Sequence, residues 1–393
     1  MRVRDIDVRK RGDFSVLSGA VAWEDTERTS DHIEFRASAA DQRLPERDWG
    51  NAFLAACFPL AVFGQERRLV LEAAGCPMLM EGLATVHAWW SSWADRPLSL
   101  PEVATERRTP DRQQTSAPER GMACLSGGVD SLHMLLHNRR VYRPGDAAYI
   151  RQAIFIHGFD IGRRPRDLQE DRFAVAEARL RALAESVRLE LVICYTNLRH
   201  RPLPAGFWLH RYNGAALAAA AHAALPHSGM LFIAATSDIA HLTPLGSHPM
   251  TDPLYSSQRL RIVHEGARFT RLQKIRDLIE WPEALENLRV CADAHGPVLN
   301  CGVCEKCLRT KIALSAVGCT EAPAFGSTSV APEQAATIEI SNALQAAHYR
   351  ELVRPLEARG LSDLARAVME RLKAYSEMRI HQADWTQESW AAG

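Results

Sequence analysis

From Met122 onward the chain alternates short apolar runs with longer amphipathic stretches, and the first junction between them is the turn Ser126-Gly127-Gly128-Val129-Asp130-Ser131. Apolar runs of about four to eight residues suit strands buried on both faces, and the stretches between them are long enough for crossover helices. "MACL", "AIFIH", "LELVICYTN" and "GMLFIAAT" read as strands; "VDSLHMLLHN", "DLQEDRFAVAEARLRALAESV" and "RYNGAALAAAAHAAL" read as helices. That order predicts an α/β fold built on a parallel sheet. Ligands of such sheets sit beyond the carboxyl ends of the strands, where the glycine turn, His157 in "HGFD" and Thr236 in "ATSD" all fall.

The turn has a physical use. Glycines let backbone N–H groups converge, and the helix that follows adds unpaired N–H groups and the positive end of its dipole. An anion, phosphate above all, suits such a place. The spacing and lysine of a GxxxxGK[ST] loop are missing, which removes the common kinase and GTPase reading.

With 393 residues, 47% of them hydrophobic, two domains are expected. "LSLPEVATERRTPDRQQTSAPERG" lacks an apolar period and reads as a linker, bounded at 101–120. Ahead of it, residues 1–100 predict a smaller α+β domain, with strands "FSVLSGAVAW" and "HIEFRAS" and helices "NAFLAACFPLAVF" and "ATVHAWWSSWA". Cys57, Cys76, Trp89, Trp90 and Trp93 have the spacing and neighbours of packing residues. The α/β domain is bounded at 121–325, and "EISNALQAAHYRELVRPLEARG" and "LSDLARAVMERLKAYSEM" make residues 326–393 a helical segment.

Lys+Arg and Asp+Glu are balanced at 47 each, so nothing global suits wrapping nucleic acid, and small-molecule partners fit better. No run of about 18 apolar residues appears, and the charged start "MRVRDIDVRKRGDF" has no secretory core behind it. A cytoplasmic chain without membrane partners is the expectation. In that setting nine cysteines do not form a disulfide framework, and a clustered set points to a metal.

Cys291, Cys301, Cys304 and Cys307 are that set, separated by nine, two and two residues. Four thiolates complete tetrahedral Zn²⁺ with no open position, the pattern of a structural site. Gly302 fits the tight knuckle and "LRTKIALSAV" reads as a helix beyond it. An iron–sulfur cluster is the rival; no proline or second cysteine set accompanies it here.

The hexapeptide SGGVDS at a strand–helix junction resembles the PP-loop of the N-type ATP pyrophosphatases, whose domain is HUP-like. The resemblance implies that ATP is cleaved between its α- and β-phosphates, that a substrate oxygen is adenylated, and that a nucleophile then displaces AMP. It gives the phosphates to Ser126, Gly127, Gly128, Val129, Asp130 and Ser131, with Asp130 positioning the loop or helping to hold Mg²⁺. Lys274 in "RLQKI" resembles a family lysine that binds phosphate or the developing adenylate. The cysteine cluster, followed by Arg309 on its helix, is most similar to the 7-cyano-7-deazaguanine synthases over roughly Met122–Val317.

That branch implies ATP, Mg²⁺ and Zn²⁺, a 7-deazaguanine-type acid as acceptor, and ammonia or an amine as nucleophile, giving an amide or nitrile. Asp130, Ser131, Lys274 and Arg309 are then the catalytic residues. The first domain would present the acceptor, a small-molecule acid or a partner protein, while the ATP site forms without it; a homodimer is compatible. His210, Tyr212, His241, Ser247, His248 and Asp252 are further polar candidates near the crevice. Two rivals stand: a sulfur-transferring enzyme, for which Cys124 and Cys194 look too apolar in setting, and an ATP-binding scaffold without turnover.

Overall fold

The computed structural model describes residues 1–38, 49–95, 97–107, 120–225, 229–291, 294 and 296–391. The chain divides into two compact units: residues 1–126, 134–236 and 243–267 in the first, and 127–133, 237–242 and 268–393 in the second.

The first unit is organised by one ten-stranded sheet. Its strands are β1 (Arg2–Arg11), β2 (Phe14–Ala22), β3 (Asp31–Ala37), β4 (Arg68–Gly75), β5 (Glu102–Arg107), β6 (Arg120–Cys124), β7 (Ile150–His157), β8 (Glu190–Thr196), β9 (Gly229–Ala234) and β10 (Leu260–Glu265). They run in the order β10-β9-β6-β7-β8-β3-β2-β1-β4-β5. The five strands from β10 to β8 are mutually parallel, and the apolar runs of β6, β7, β8 and β9 suit strands covered on both faces. Taken in chain order from β6, their spatial order is third, second, first, fourth, fifth, and the direction of progression reverses between β6 and β9. In open α/β sheets that reversal opens the ligand crevice. β10 is a fifth parallel strand not anticipated from its short, charge-bearing "LRIVHE".

Two expectations are corrected. β1–β5 do not form a separate domain: β3 pairs antiparallel with β8 through Phe35–Thr196, Arg36–Tyr195 and Ala37–Cys194, and the sheet continues without a break. The expected linker is in part a strand, since Glu102–Arg107 pairs in parallel with β4; residues 108–119 lie outside the described residues. Helix α1 (Trp49–Phe63), apolar on every side, is buried from Gly50 to Val62 and packs on β4 and on α5 (Asn213–Ala224), the alanine-rich helix. Tyr212 ties the two, its hydroxyl donating to the Ala56 carbonyl at 2.9 Å. The unit also holds α2 (Pro77–Ser92), most of α3 (Val129–Val141) and α4 (Glu170–Ser186).

The second unit is helical. It contains α6 (Arg271–Leu278), α7 (Pro282–Glu286), α8 (Glu305–Ala316), a short hairpin β11 (Glu321–Ala322) and β12 (Gly326–Ser327), then α9 (Pro332–Ala336), α10 (Ala343–Ala358) and α11 (Ser362–Ala391). Thr270 and Gln273 close a capping box at the start of α6, and Asn342 caps α10 through the Gln345 N–H. α10 packs against α6, α8 and α11. The cysteine segment therefore groups with the C-terminal helices, so the division expected at 325/326 does not occur there.

Candidate phosphate and metal sites

Gly127 takes φ +77°, in the left-handed region that glycine enters without strain, and its carbonyl accepts from the Arg289 N–H at 2.8 Å. Helix α3 starts directly after, with Leu132 N–H closing its first turn on the Gly128 carbonyl at 3.0 Å and the Ser131 hydroxyl on the same oxygen at 3.1 Å. Asp130 stands in the first helical turn. Its Oδ1 accepts from Lys274 Nζ of α6 at 2.8 Å, and its Oδ2 lies 3.6 Å from Arg271 of the same helix. Arg271 and Lys274 are three residues apart, so they share a face of α6.

Lys274 is 1% exposed. A buried ammonium is tolerated only when paired, and Asp130 is the partner. Burial pushes the Asp130 carboxyl up, but the Lys274 and Arg271 charges outweigh it and hold it below its ordinary range.

Beside this pair lie Arg309 of α8 and His348 of α10. One Arg309 N–H donates to His348 Nδ1 at 3.1 Å, its Nε lies 3.4 Å from Glu305, and Tyr349 gives its hydroxyl proton to Glu305 at 3.0 Å. Burial, with the neighbouring Arg271 and Arg309 charges, pulls the His348 imidazole down to about 3. The histidine is thus a neutral acceptor that orients the guanidinium. Arg309 is 8% exposed and its Nε has no hydrogen-bond partner among the described residues. Lys274, Asp130, Ser131 and Arg309 all belong to the second unit; Arg271, Glu305, His348 and Tyr349 were not anticipated.

The four cysteines converge. Cys291 Sγ lies 3.5 Å from Cys301 and 3.6 Å from Cys304, Cys301 lies 4.0 Å from Cys307, and all four sulfurs fall within 4.8 Å of one another. Tetrahedral Zn²⁺ with bonds of about 2.3 Å sets sulfurs about 3.8 Å apart, so the set can hold such an ion. Burial pushes the Cys301 thiol up, but the Val303 and Cys304 backbone N–H groups and the adjacent thiols hold it down at about 7. Gly302 takes φ +77° in open space, so the turn itself demands the glycine. Asn300, unnoticed in the sequence, braces the loop: its Oδ1 accepts from Val290 and Cys291 N–H, and its Nδ2 donates to the Leu288 and Ala324 carbonyls.

The remaining candidates have other surroundings. Ser126, exposed, ends the first unit's β6 loop, and Thr236, exposed, follows β9. His157, expected to bind the nucleotide, is 6% exposed among Phe173 and Tyr195 and gives its Nε2 proton to the Leu168 carbonyl at 2.8 Å. Tyr212 is core, and Asp252 is fully buried, accepting from Ser247, His264 and the His248 N–H; these polar residues hold their loop together. His241 binds Asp238, and His210 is exposed near Pro244. Trp90 is buried against Phe58 and Phe63, as its spacing suggests. No helix among the described residues is long and apolar enough to cross a membrane. Comparison of the chain with models of known families, with curated proteins and with solved structures gives no match.

Proposed function

We propose that the turn Gly127–Ser131 and Lys274 bind the phosphates of ATP, and that the protein is a HUP-like PP-loop enzyme that adenylates an oxygen of an acid and passes it to ammonia or an amine. The observation that carries the reading is the 2.8 Å pair between Asp130 of the SGGVDS turn and Lys274, two residues 144 positions apart in the chain. An ammonium is thereby fixed at the start of α3, where the helix dipole and first-turn N–H groups already favour an anion.

In this reading each group has a task that needs no protein nucleophile. Gly127 and Gly128 let the backbone approach phosphate oxygens, and Ser126 and Ser131 add hydroxyl donors. Lys274 and Arg271 offset charge that grows on the departing pyrophosphate, while Asp130 keeps both side chains in place. Arg309, oriented by His348 and Glu305, is the candidate to hold a carboxylate. Mg²⁺, when bound, would offset polyphosphate charge. Zinc on the four cysteines would be structural.

Thiolation is disfavoured by the thiols at hand. Burial pushes Cys124 and Cys194 up to about 12, so neither is a ready thiolate. The test is release of AMP and pyrophosphate from ATP and Mg²⁺ with 7-deazaguanine carboxylic acids and ammonium. Equimolar AMP and pyrophosphate, with an amide or nitrile product, is the expected result. Binding of an ATP analogue with no turnover of any acid would favour the scaffold reading, and no nucleotide binding at all would overturn both.

A further inference from the structure

The first unit contains a cavity of about 520 Å³ that the nucleotide reading does not use. β3 turns Ile33, Phe35 and Ala37 into the core, so His32, Glu34 and Arg36 stand on the opposite face and line the cavity. Helix α4 supplies a second wall with Glu170, Phe173 and Glu177, and the ends of β7 and β8 supply a third with His157, Tyr195 and Thr196.

Most polar groups of these walls are spent on the fold. Asn197 accepts from the Glu34 N–H at 3.1 Å and donates to the His32 carbonyl at 2.6 Å, and the Thr196 hydroxyl accepts from the Leu198 N–H at 3.4 Å. His157 and His200 give their Nε2 protons to the Leu168 and Gly162 carbonyls, at 2.8 and 2.7 Å. Glu177 pairs with Arg181, and Glu170 is exposed in the first turn of α4, where the helix dipole favours a carboxylate. Two half-buried charges are left over. The Arg36 guanidinium lies 4.4 Å from the centre of the Tyr195 ring and 5.3 Å from that of Phe14, a contact that attracts its charge and satisfies none of its N–H groups. It has no hydrogen bond or ion pair among the described residues, and its Nε is buried. The Glu34 carboxylate likewise has no partner among the described residues. The two stand two residues apart on one face of β3, about 7 Å along the strand, and do not pair with each other.

We infer that this cavity binds a small zwitterion with one carboxylate and one primary ammonium group, an amino acid in the chemical sense, its carboxylate on Arg36 and its ammonium on Glu34. A guanidinium takes a carboxylate through two parallel N–H bonds, and an ammonium brings three donors, for which the free Nδ1 atoms of His157 and His200 are further acceptors. A plain anion would leave Glu34 unanswered, and a plain cation would leave Arg36. The volume is that of an ordinary small-molecule site. The inference stands apart from the nucleotide reading, because every residue named belongs to the first unit and the assay contains no ATP.

Isothermal titration of the full chain with L-norvaline and 5-aminopentanoate, which carry both charges, and with pentanoate and pentylammonium, which carry one each on the same carbon skeleton, tests it. At least one of the two zwitterions should bind with one-to-one stoichiometry, at least tenfold more tightly than either single-charge probe. Glu34→Gln should keep the melting temperature and bring the zwitterion down to the affinity of pentanoate; Arg36→Gln should bring it down to that of pentylammonium. A merely structural role for either residue would not divide the probes in this way. The inference is overturned if neither zwitterion binds, if pentanoate or pentylammonium binds as tightly as the zwitterion, or if either variant binds the zwitterion undiminished.

Discussion

Lys274 and Asp130 are unequal halves of one contact. The ammonium is almost fully buried, while the carboxylate side chain retains 22% exposure and has a second cation, Arg271, at 3.6 Å. Lys274→Met removes a buried charge and leaves Asp130 paired with Arg271; Asp130→Asn leaves the ammonium without its nearest counter-charge. Asp130→Asn should therefore cost about 3 kcal/mol in urea denaturation and Lys274→Met distinctly less. In AMP formation the order changes: Lys274→Met should lose about 10²–10³ in kcat, the usual effect of one lost electrostatic donor. Equal stabilities, or normal turnover in Lys274→Met, would remove the assigned roles.

His348 carries a second residue-scale prediction. Its imidazole falls from the ordinary 6.5 to about 3 in the folded chain, so between those values the unfolded chain binds a proton that the folded one does not. Stability is then complete above about pH 6.5 and declines toward pH 3, with a slope near 1.4 kcal/mol per pH unit from this group. His222, held at about 4 by burial, adds the same sign. His348→Gln should flatten the stability curve from pH 6.5 to 4.5 by about one proton's share, measured as urea midpoints; parallel curves for the two proteins would refute the assignment. Nothing in the local sequence marks this group. A histidine in "AAHYREL" reads as one polar position on a helix, and its meaning comes from Arg271 and Arg309, supplied by other helices.

Among the elements, α8 joins the two candidate sites: Cys304 directly precedes it, Cys307 lies in its first turn, and Arg309 follows within the same helix. Closed thiolate sites couple metal binding to folding. Cys304→Ser, or exposure to a strong chelator, should lower the melting temperature and expose the α8 region to hydrogen exchange. Zinc analysis should give one ion per chain; iron with visible absorbance would favour the cluster alternative. This element was legible because three cysteines within seven residues leave few physical options. β5 was not legible: "EVATER" is polar because an edge strand has one neighbour, and only its register with β4 makes it a strand. Arg271 escaped notice for a related reason, since a buried cation is marked by its partners and not by its own neighbours in the chain.

At the scale of the whole molecule, local patterns foresaw strands β2, β3 and β6–β9 and helices α1–α5, yet placed a boundary where the sheet runs on. Alternation tells which face of a strand is buried; it does not tell which strand lies beside it. The strand β3 closes the edge of β8, and α1 covers α5, whose alanines are buried from Ala218 to Ala221. Cutting the chain near Ala117 would bare that helix surface, free the β8 edge and orphan the Tyr212 hydroxyl now bonded to Ala56. Fully burying one Phe, Leu or Val side chain contributes about 1.5–3 kcal/mol, and Phe53, Leu54, Phe58, Leu60 and Val62 of α1 would all be lost. Five such side chains sum to about 7.5–15 kcal/mol, as large as the whole net stability of an ordinary domain, about 5–15 kcal/mol. A chain beginning at Ala117 should therefore be insoluble or lack cooperative unfolding, and should recover on co-expression with residues 1–107 as a separate piece. A soluble, cooperatively unfolding truncated chain would mean that the five strands from β6 to β10 stand alone and that the first hundred residues are an addition to a finished fold.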